Sequence, residues 1–163
     1  MNIDLNRIAE LDDGKCLDEL INFIKIQASD EDDPIALMAN VSAFIKAYVR
    51  DLNWAGFYIV KDHALILGPF QGLPACTRLS FDKGVCAKAY RDRKIVKVDD
   101  VAEFKDHIVC DSNSKSELVI PIFNEEDLVC LIDLDSPKLA RFTELELEKF
   151  KEIGQILENR IYL

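Results

Sequence analysis

The spacing of apolar residues predicts helices in the first third of the chain. Beyond residue 33 they recur at intervals of three and four, which is the period of a helix with one buried face. Asp33 is a favourable N-cap residue and Pro34 suits the first helical position, so a helix is expected to begin there. A weaker helical pattern over 16–26 predicts an earlier helix.

The last helix carries the clearest start signal. Thr143 and Glu146 have the spacing of a capping box, and Phe142 is placed to pack on Leu147. Apolar residues continue on one face as far as Leu157. A helix is therefore predicted over 143–157.

The middle of the chain alternates between strand patterns and turn residues. Asp82 is predicted to cap a short helix from 83 to about 92, and 68–76 is predicted to be a loop. The predicted strands are 54–60, 64–67, 95–98, 117–123 and 128–135. Short connections favour a largely antiparallel central sheet flanked by helices, with the N- and C-terminal helices packed together. The expected fold class is α+β, in one domain over 1–163.

Composition narrows the classes of function. The chain has 163 residues, 49% of them hydrophobic, and a net charge of −10, which argues against binding to nucleic acid or to an anionic membrane. It has no apolar run of about 18 residues, as a membrane span would require. It also has no N-terminal basic segment followed by an apolar one, as a secretory signal would require, so we expect a cytoplasmic protein. Five cysteines do not indicate a secreted disulfide framework, and thiols in a reducing compartment are free, metal-bound or catalytic.

Two acidic residues interrupt an apolar strand. Asp133 and Asp135 are two residues apart and must project from the same face of that strand. Burial of carboxylates is unfavourable unless they are paired, so the pattern indicates an acidic pair that points into a pocket. The alternative is that Asp135 opens the following turn and Asp133 lies near the edge of the sheet.

Two aromatic residues flank a glycine in the first strand. Trp54, Gly56 and Tyr58 share one face, which could form a slot for a small apolar or cationic group. Ordinary core packing is the alternative.

Three cysteines lie in settings that favour chemistry. Cys86 falls in the first turn of the predicted short helix, where the positive end of the helix dipole is expected to lower the pKa of a thiol. Cys76 ends the glycine- and proline-rich loop, and Cys110 lies in a polar segment that begins at His107. These four residues could alternatively bind zinc, but the spacing lacks the closely paired ligands of common structural sites. The remaining two cysteines, Cys16 and Cys130, have apolar neighbours and are expected to be packing residues.

Short motifs from about residue 41 to residue 160 resemble, in fixed order, the free methionine-R-sulfoxide reductases, which are stand-alone GAF-domain enzymes. The motifs are NWAGFY at 53–58, LGPFQG at 67–72, PAC at 74–76, KGVC at 83–86, HI at 107–108, CD at 110–111, SKSE at 114–117 and IDLDS at 132–136.

The resemblance implies thiol-dependent reduction of free L-methionine (R)-sulfoxide. By matching position, Cys110 resembles the nucleophile, Cys86 its disulfide partner and Cys76 a third, auxiliary cysteine. Trp54 and Tyr58 resemble the aromatic wall around the methylsulfinyl group. Glu117, Asp133 and Asp135 resemble the carboxylates that hold the amino group of the substrate and assist the sulfoxide oxygen.

The resemblance also implies partners. Thioredoxin is the expected reductant, no metal or organic cofactor is expected, and a homodimer is possible. Two alternatives remain open on the sequence, namely a non-catalytic GAF module that senses a small ligand and a thiol redox switch without turnover.

Overall fold

A computed structural model of the chain describes residues 3–105 and 112–162, which form five helices and one six-stranded sheet. The helices are α1 (Leu5–Glu10), α2 (Asp13–Asp30), α3 (Pro34–Tyr48), α4 (Val85–Asp92) and α5 (Glu144–Leu157). The strands are β1 (Trp54–Lys61), β2 (Ala64–Gln71), β3 (Arg78–Leu79), β4 (Val96–Val98), β5 (Ser116–Asn124) and β6 (Asp127–Ser136).

Every pairing in the sheet is antiparallel, in the order β3-β2-β1-β6-β5-β4. Consecutive strands β1 and β2, and β5 and β6, form hairpins, and β6 joins the two hairpins by pairing with β1. The strands β1, β6 and β5 are thus interior strands. The predicted α+β class with a largely antiparallel sheet is confirmed.

One face of the sheet is covered by α2, α3 and α5, and the main apolar core lies between these helices and the strands. Helices α2 and α5 pack against each other, as predicted for the two ends of the chain. Two ion pairs join their exposed sides, Lys25 to Glu152 at 2.8 Å and Lys149 to Asp18 at 2.6 Å. Exposed pairs of this kind contribute little free energy, so buried apolar area accounts for the packing.

The opposite face carries α4 and a second, smaller apolar cluster. Trp54 and Tyr58 from β1, Val119 from β5, Leu131 from β6 and Cys86 from α4 belong to it. Successive side chains of a strand point to opposite faces of the sheet, so the side chains of each central strand are divided between the two apolar clusters. The predicted site residues of the strands lie on this second face.

Of two predicted N-cap residues, one caps its helix and the other does not. Asp33 caps α3, and its side chain accepts hydrogen bonds from the N–H groups of Ile35 and Ala36, both at 2.9 Å. The prediction that Asp82 caps α4 was wrong, because the N-cap is Gly84 and no side chain caps the helix. Gly84 has a φ of 92°, a conformation that glycine adopts without strain.

The predicted loop over 68–76 was wrong in its first half. Strand β2 runs on to Gln71 because Phe70 and Gln71 pair with Gly56 and Ala55 at the start of β1. Glycine and proline in this stretch suggested a turn, but strand pairing with β1 outweighs that local preference.

A buried ionic group fixes the start of α5. Both members of the predicted capping box form, and Glu146 is only 4% exposed. Its carboxylate accepts two hydrogen bonds from Arg141 Nη1, at 2.7 and 2.8 Å, and one from the Thr143 N–H at 2.9 Å. Arg141 Nη2 in turn donates to the Arg50 carbonyl at 2.8 Å, which ties α5 to the segment between α3 and β1.

Replacing Glu146 by alanine should therefore be strongly destabilising. The Glu146→Ala variant leaves the Arg141 guanidinium without its carboxylate and removes half of the capping box, for a loss of about 3 kcal/mol in the free energy of unfolding. Glu148→Ala, an exposed glutamate on the same helix, should change it by less than about 0.5 kcal/mol. Urea unfolding of the two variants checks this, and equal losses would contradict the role given to Glu146.

Candidate active site

Strand register brings three predicted acidic residues onto one face. In the β5–β6 ladder Glu117 lies opposite Asp135, and Asp133 lies one diagonal position away. Long side chains reach each other across such diagonals. Glu117 and Asp133 are 5% and 6% exposed, and Asp135 is half-buried. Asp133 lies on an interior strand, so the alternative that it sits near the edge of the sheet was wrong.

Helix α4 adds a thiol to this acidic cluster. Cys86 is in the first turn of α4, and its Sγ lies 3.9 Å from Glu117 Oε1, within range of a weak hydrogen bond. One ligand atom each from Cys86, Glu117 and Asp133 lie within 4.8 Å of one another, and all three side chains are buried. These residues form what we call the acid–thiol cluster.

Burial raises the pKa of both carboxyl groups. The pKa of Asp133 rises to about 6, mainly because burial penalises its charged form, although hydrogen bonds with Cys86 and Glu117 lower it in part. The pKa of Glu117 is raised well above its usual value, first by burial and then by the negative charges of Asp133 and Asp135. Two carboxyl groups in such close contact favour sharing one proton.

The pKa of the Cys86 thiol moves in the direction opposite to the prediction. Its position at the start of a helix favours a thiolate, but burial and the charges of Asp133 and Glu117 raise the pKa well above the usual value. The prediction of a lowered pKa was therefore wrong. Desolvation and two neighbouring carboxylates outweigh the partial charge of a short helix.

An aromatic group borders the acid–thiol cluster. Trp54 lies opposite Asp135 in the β1–β6 ladder, and its ring stacks on Tyr58 at 5.9 Å between centroids and on Phe70 at 5.3 Å. The sequence analysis identified Trp54 and Tyr58 as a possible aromatic pair. It missed Phe70, because 68–76 was predicted to be a loop. The signal for Phe70 is its pairing with Gly56, which only strand register reveals.

The predicted slot over Gly56 is filled by the aromatic group itself. A Cβ added at Gly56 would lie 2.7 Å from Trp54 Cη2 and would also clash with the Phe70 side chain. Glycine is therefore needed at this position so that the indole can lie against the sheet. Trp54 and Tyr58 are each 2% exposed.

Two polar atoms of this face are buried and lack hydrogen-bond partners among the described residues, Trp54 Nε1 and Asp133 Oδ1. One is a donor and the other an acceptor. A ligand that offers both an acceptor and a positively charged donor would satisfy the pair.

The cysteines divide into different settings. Cys76 is half-buried and disulfide-bonded, and its carbonyl accepts a hydrogen bond from the Tyr58 hydroxyl at 3.0 Å. Cys86 has a free thiol, although the resemblance had given the disulfide to Cys86 and an auxiliary role to Cys76. Cys16 and Cys130 are free and buried in the main core, as expected for packing residues. The predicted nucleophile Cys110 and its neighbour His107 lie outside the described residues.

A groove elsewhere on the described surface lacks this chemistry. It has a volume of about 330 Å³, lies between β5 and α5, is lined by residues such as Arg93, Phe123 and Lys151, and contains none of the acid–thiol cluster. The described part of the chain has no helix with the length and apolar character that crossing a membrane requires.

Comparison with known proteins identifies the family. The GAF domain family matches residues 35–161. The free methionine-R-sulfoxide reductase of Escherichia coli is 38% identical over 124 residues, 76% of this chain and 75% of that protein. The enzyme of the same name from Saccharomyces cerevisiae is 31% identical over 161 residues, 94% of this chain and 89% of that protein.

A solved structure extends the likeness to three dimensions. The free methionine-R-sulfoxide reductase of Neisseria meningitidis, determined in complex with its substrate, has a TM-score of 0.88 and 38% identity. The superposition covers 93% of this chain and 91% of that chain. The chain therefore belongs to the GAF-domain family of free methionine-R-sulfoxide reductases.

Proposed function

We propose that the protein reduces free L-methionine (R)-sulfoxide to L-methionine by thiol chemistry. The observation that carries the proposal is the acid–thiol cluster, in which two buried carboxyl groups with raised pKa values lie beside a buried aromatic group. The similarity to proteins named free methionine-R-sulfoxide reductase supports the assignment of the chain as an oxidoreductase that reduces methionine sulfoxide.

The substrate matches the polar and aromatic groups of the site. Its ammonium group would pair with Asp133 and Asp135, which are held side by side on β6. Its methylsulfinyl end would contact the rings of Trp54 and Tyr58, and the Trp54 Nε1–H would donate to an oxygen of the substrate. This arrangement requires the substrate to displace part of the tight packing around Trp54.

Glu117 is the proposed proton donor. A sulfoxide sulfur accepts a nucleophile only as its oxygen is protonated or strongly hydrogen-bonded. Burial and the negative charges of Asp133 and Asp135 raise the pKa of Glu117, which favours the protonated form that a proton donor needs. Asp135 would then serve mainly in binding.

Cys110 is the proposed nucleophile. Its thiolate attacks the sulfur of the substrate, the sulfur–oxygen bond of the sulfoxide breaks, and the oxygen passes to Cys110 as a sulfenic acid while methionine departs. A second thiol condenses with the sulfenic acid, forming a disulfide and one water molecule. An external dithiol reduces that disulfide and completes the cycle, so that each turnover consumes two reducing equivalents.

Cys76 is the better-supported second thiol. It is disulfide-bonded and half-buried, whereas Cys86 is free, fully buried and hydrogen-bonded into the acid–thiol cluster. The raised pKa of Cys86 disfavours the thiolate that attack requires. We therefore assign resolution to Cys76 and a place in the substrate pocket to Cys86, which exchanges the roles that the resemblance implied.

Thioredoxin is the proposed reductant in the cytoplasm, the chain over 1–163 is proposed to be one GAF domain, and a homodimer is proposed. The excess of acidic residues supports the expectation that nucleic acid and membranes are not partners.

Removing the nucleophile should abolish turnover. Cys110→Ala is expected to lower methionine release from the R-sulfoxide by more than about a thousandfold, because the thiolate that attacks the sulfur and accepts the oxygen is lost. Cys130→Ala, which alters a core thiol on the opposite face of the sheet, should retain activity. Release is followed with dithiothreitol as reductant. Absence of turnover in the unmodified protein would favour the ligand sensor or the thiol switch.

The two candidate resolving thiols can be separated in a single turnover. With one equivalent of sulfoxide and no reductant, Cys76→Ser should release methionine and accumulate a sulfenic acid that dimedone traps, as detected by mass spectrometry. Cys86→Ser should instead form the disulfide. The opposite pattern would restore resolution to Cys86.

The buried carboxyl of Asp133 should lower the free energy of unfolding at pH values above its pKa. A carboxyl whose pKa rises from 3.8 to about 6 on folding contributes no penalty while it is protonated in both states; its penalty grows as the pH rises from 3.8 to about 6 and is complete above that. Asp133→Asn should therefore gain stability relative to the unmodified protein, by about 1 kcal/mol more at pH 8 than at pH 5. Urea unfolding at both pH values measures this difference. Asp127→Asn, an exposed change on the same strand, should show no such difference.

A further inference from the structure

The acid–thiol cluster has the donor set of a site for a borderline-soft divalent cation. It offers one sulfur from Cys86 and carboxylate oxygens from Glu117 and Asp133. We propose that these three side chains bind Zn²⁺ or a cation of the same class, and that the bound cation inhibits the enzyme by excluding the substrate. The binding rests on the cluster alone, whereas the inhibition rests on the proposed function.

The spacing of the donors is close to what tetrahedral zinc requires. Zinc–sulfur and zinc–oxygen bond lengths place a sulfur and an oxygen ligand roughly 3.5 Å apart. Cys86 Sγ and Glu117 Oε1 are separated by 3.9 Å, and the three ligand atoms lie within 4.8 Å of one another. Side-chain shifts that close the most widely separated pair of donors by about 1 Å would bring the set to bonding geometry, with a fourth position left for water.

The cluster also lacks a countercharge. In residues 3–105 and 112–162 no lysine or arginine forms an ion pair with Glu117 or Asp133. Asp133 is only 6% exposed, and its Oδ1 atom has no hydrogen-bond partner within those residues. A buried acceptor without a donor is unfavourable, and a cation would compensate it.

The chemistry of the donors selects the metal class. Mg²⁺ requires octahedral oxygen coordination and Ca²⁺ takes six to eight oxygens, neither of which a thiol and two carboxylates provide. Zn²⁺, Co²⁺ and Cd²⁺ accept mixed sulfur and oxygen ligands in four-coordinate sites.

Competition with the substrate follows from the shared residues. The proposed proton donor Glu117 and the proposed ammonium ligand Asp133 would both be coordinated by the metal. A cation at this site would therefore occupy the groups that the sulfoxide needs, while leaving the chemistry of Cys110 and Cys76 unaltered. Zinc should raise the apparent KM for the sulfoxide without changing kcat.

Cobalt provides a direct test of the site. The fully reduced protein, titrated with Co²⁺ in the absence of substrate, should develop a thiolate-to-cobalt charge-transfer band and the visible bands of tetrahedral cobalt, and Zn²⁺ should abolish both. Cys86→Ser should remove the charge-transfer band, and Asp133→Asn should weaken binding by more than about tenfold. Cys76→Ser and Cys130→Ala should retain the spectrum. Circular dichroism of each variant establishes that it is folded.

The outcomes distinguish the metal site from the enzyme. A spectrum that survives Cys86→Ser, or one that is lost in Cys76→Ser, would overturn the proposed ligand set. Absence of tetrahedral bands in a protein that reduces the sulfoxide would overturn the metal site and leave the proposed function intact. Cobalt bound through the three residues without competition by the sulfoxide would overturn the inhibition, and would show instead that the substrate does not use these carboxylates.

Discussion

The pairing of β6 with both β1 and β5 is the constraint on which the site depends. It places Asp133 and Asp135 between Trp54 on one side and Glu117 on the other, on an interior strand where water is excluded. Burial lowers the local dielectric constant, so each charge interacts strongly with its neighbours. The raised pKa values of Glu117 and Asp133 follow from this arrangement.

The two faces of the sheet differ in their contribution to stability. The face under α2, α3 and α5 is apolar and supplies the packing energy of the fold. The face under α4 holds buried carboxyls whose ionisation opposes folding, so the first face must compensate for the second. Such a division is common where function requires groups that the interior disfavours. It also explains why Cys130 and Cys86, both buried, have different neighbours: the first lies in the apolar core and the second against two carboxyl groups.

The cysteine assignments illustrate the limits of local argument. Placing Cys86 at a helix start was right, and the inference of a reactive thiolate was wrong, because residues on β5 and β6 approach it only in the folded chain. Polar surroundings in the sequence likewise gave no means of deciding between Cys76 and Cys86. Distances between segments, rather than neighbours along the chain, control the pKa of a thiol and the partner it meets.

The sequence by itself determined the helix starts at Asp33 and Thr143, the alternation of the strands and the division of their side chains between two faces, because caps and period-two patterns are local properties. The motifs also sufficed to identify the family. Only the tertiary structure decided the neighbours of each strand, the place of Phe70 and the raised pKa of Glu117. Those features depend on contacts between residues far apart in the chain, and a local pattern cannot specify which distant segment will supply the contact.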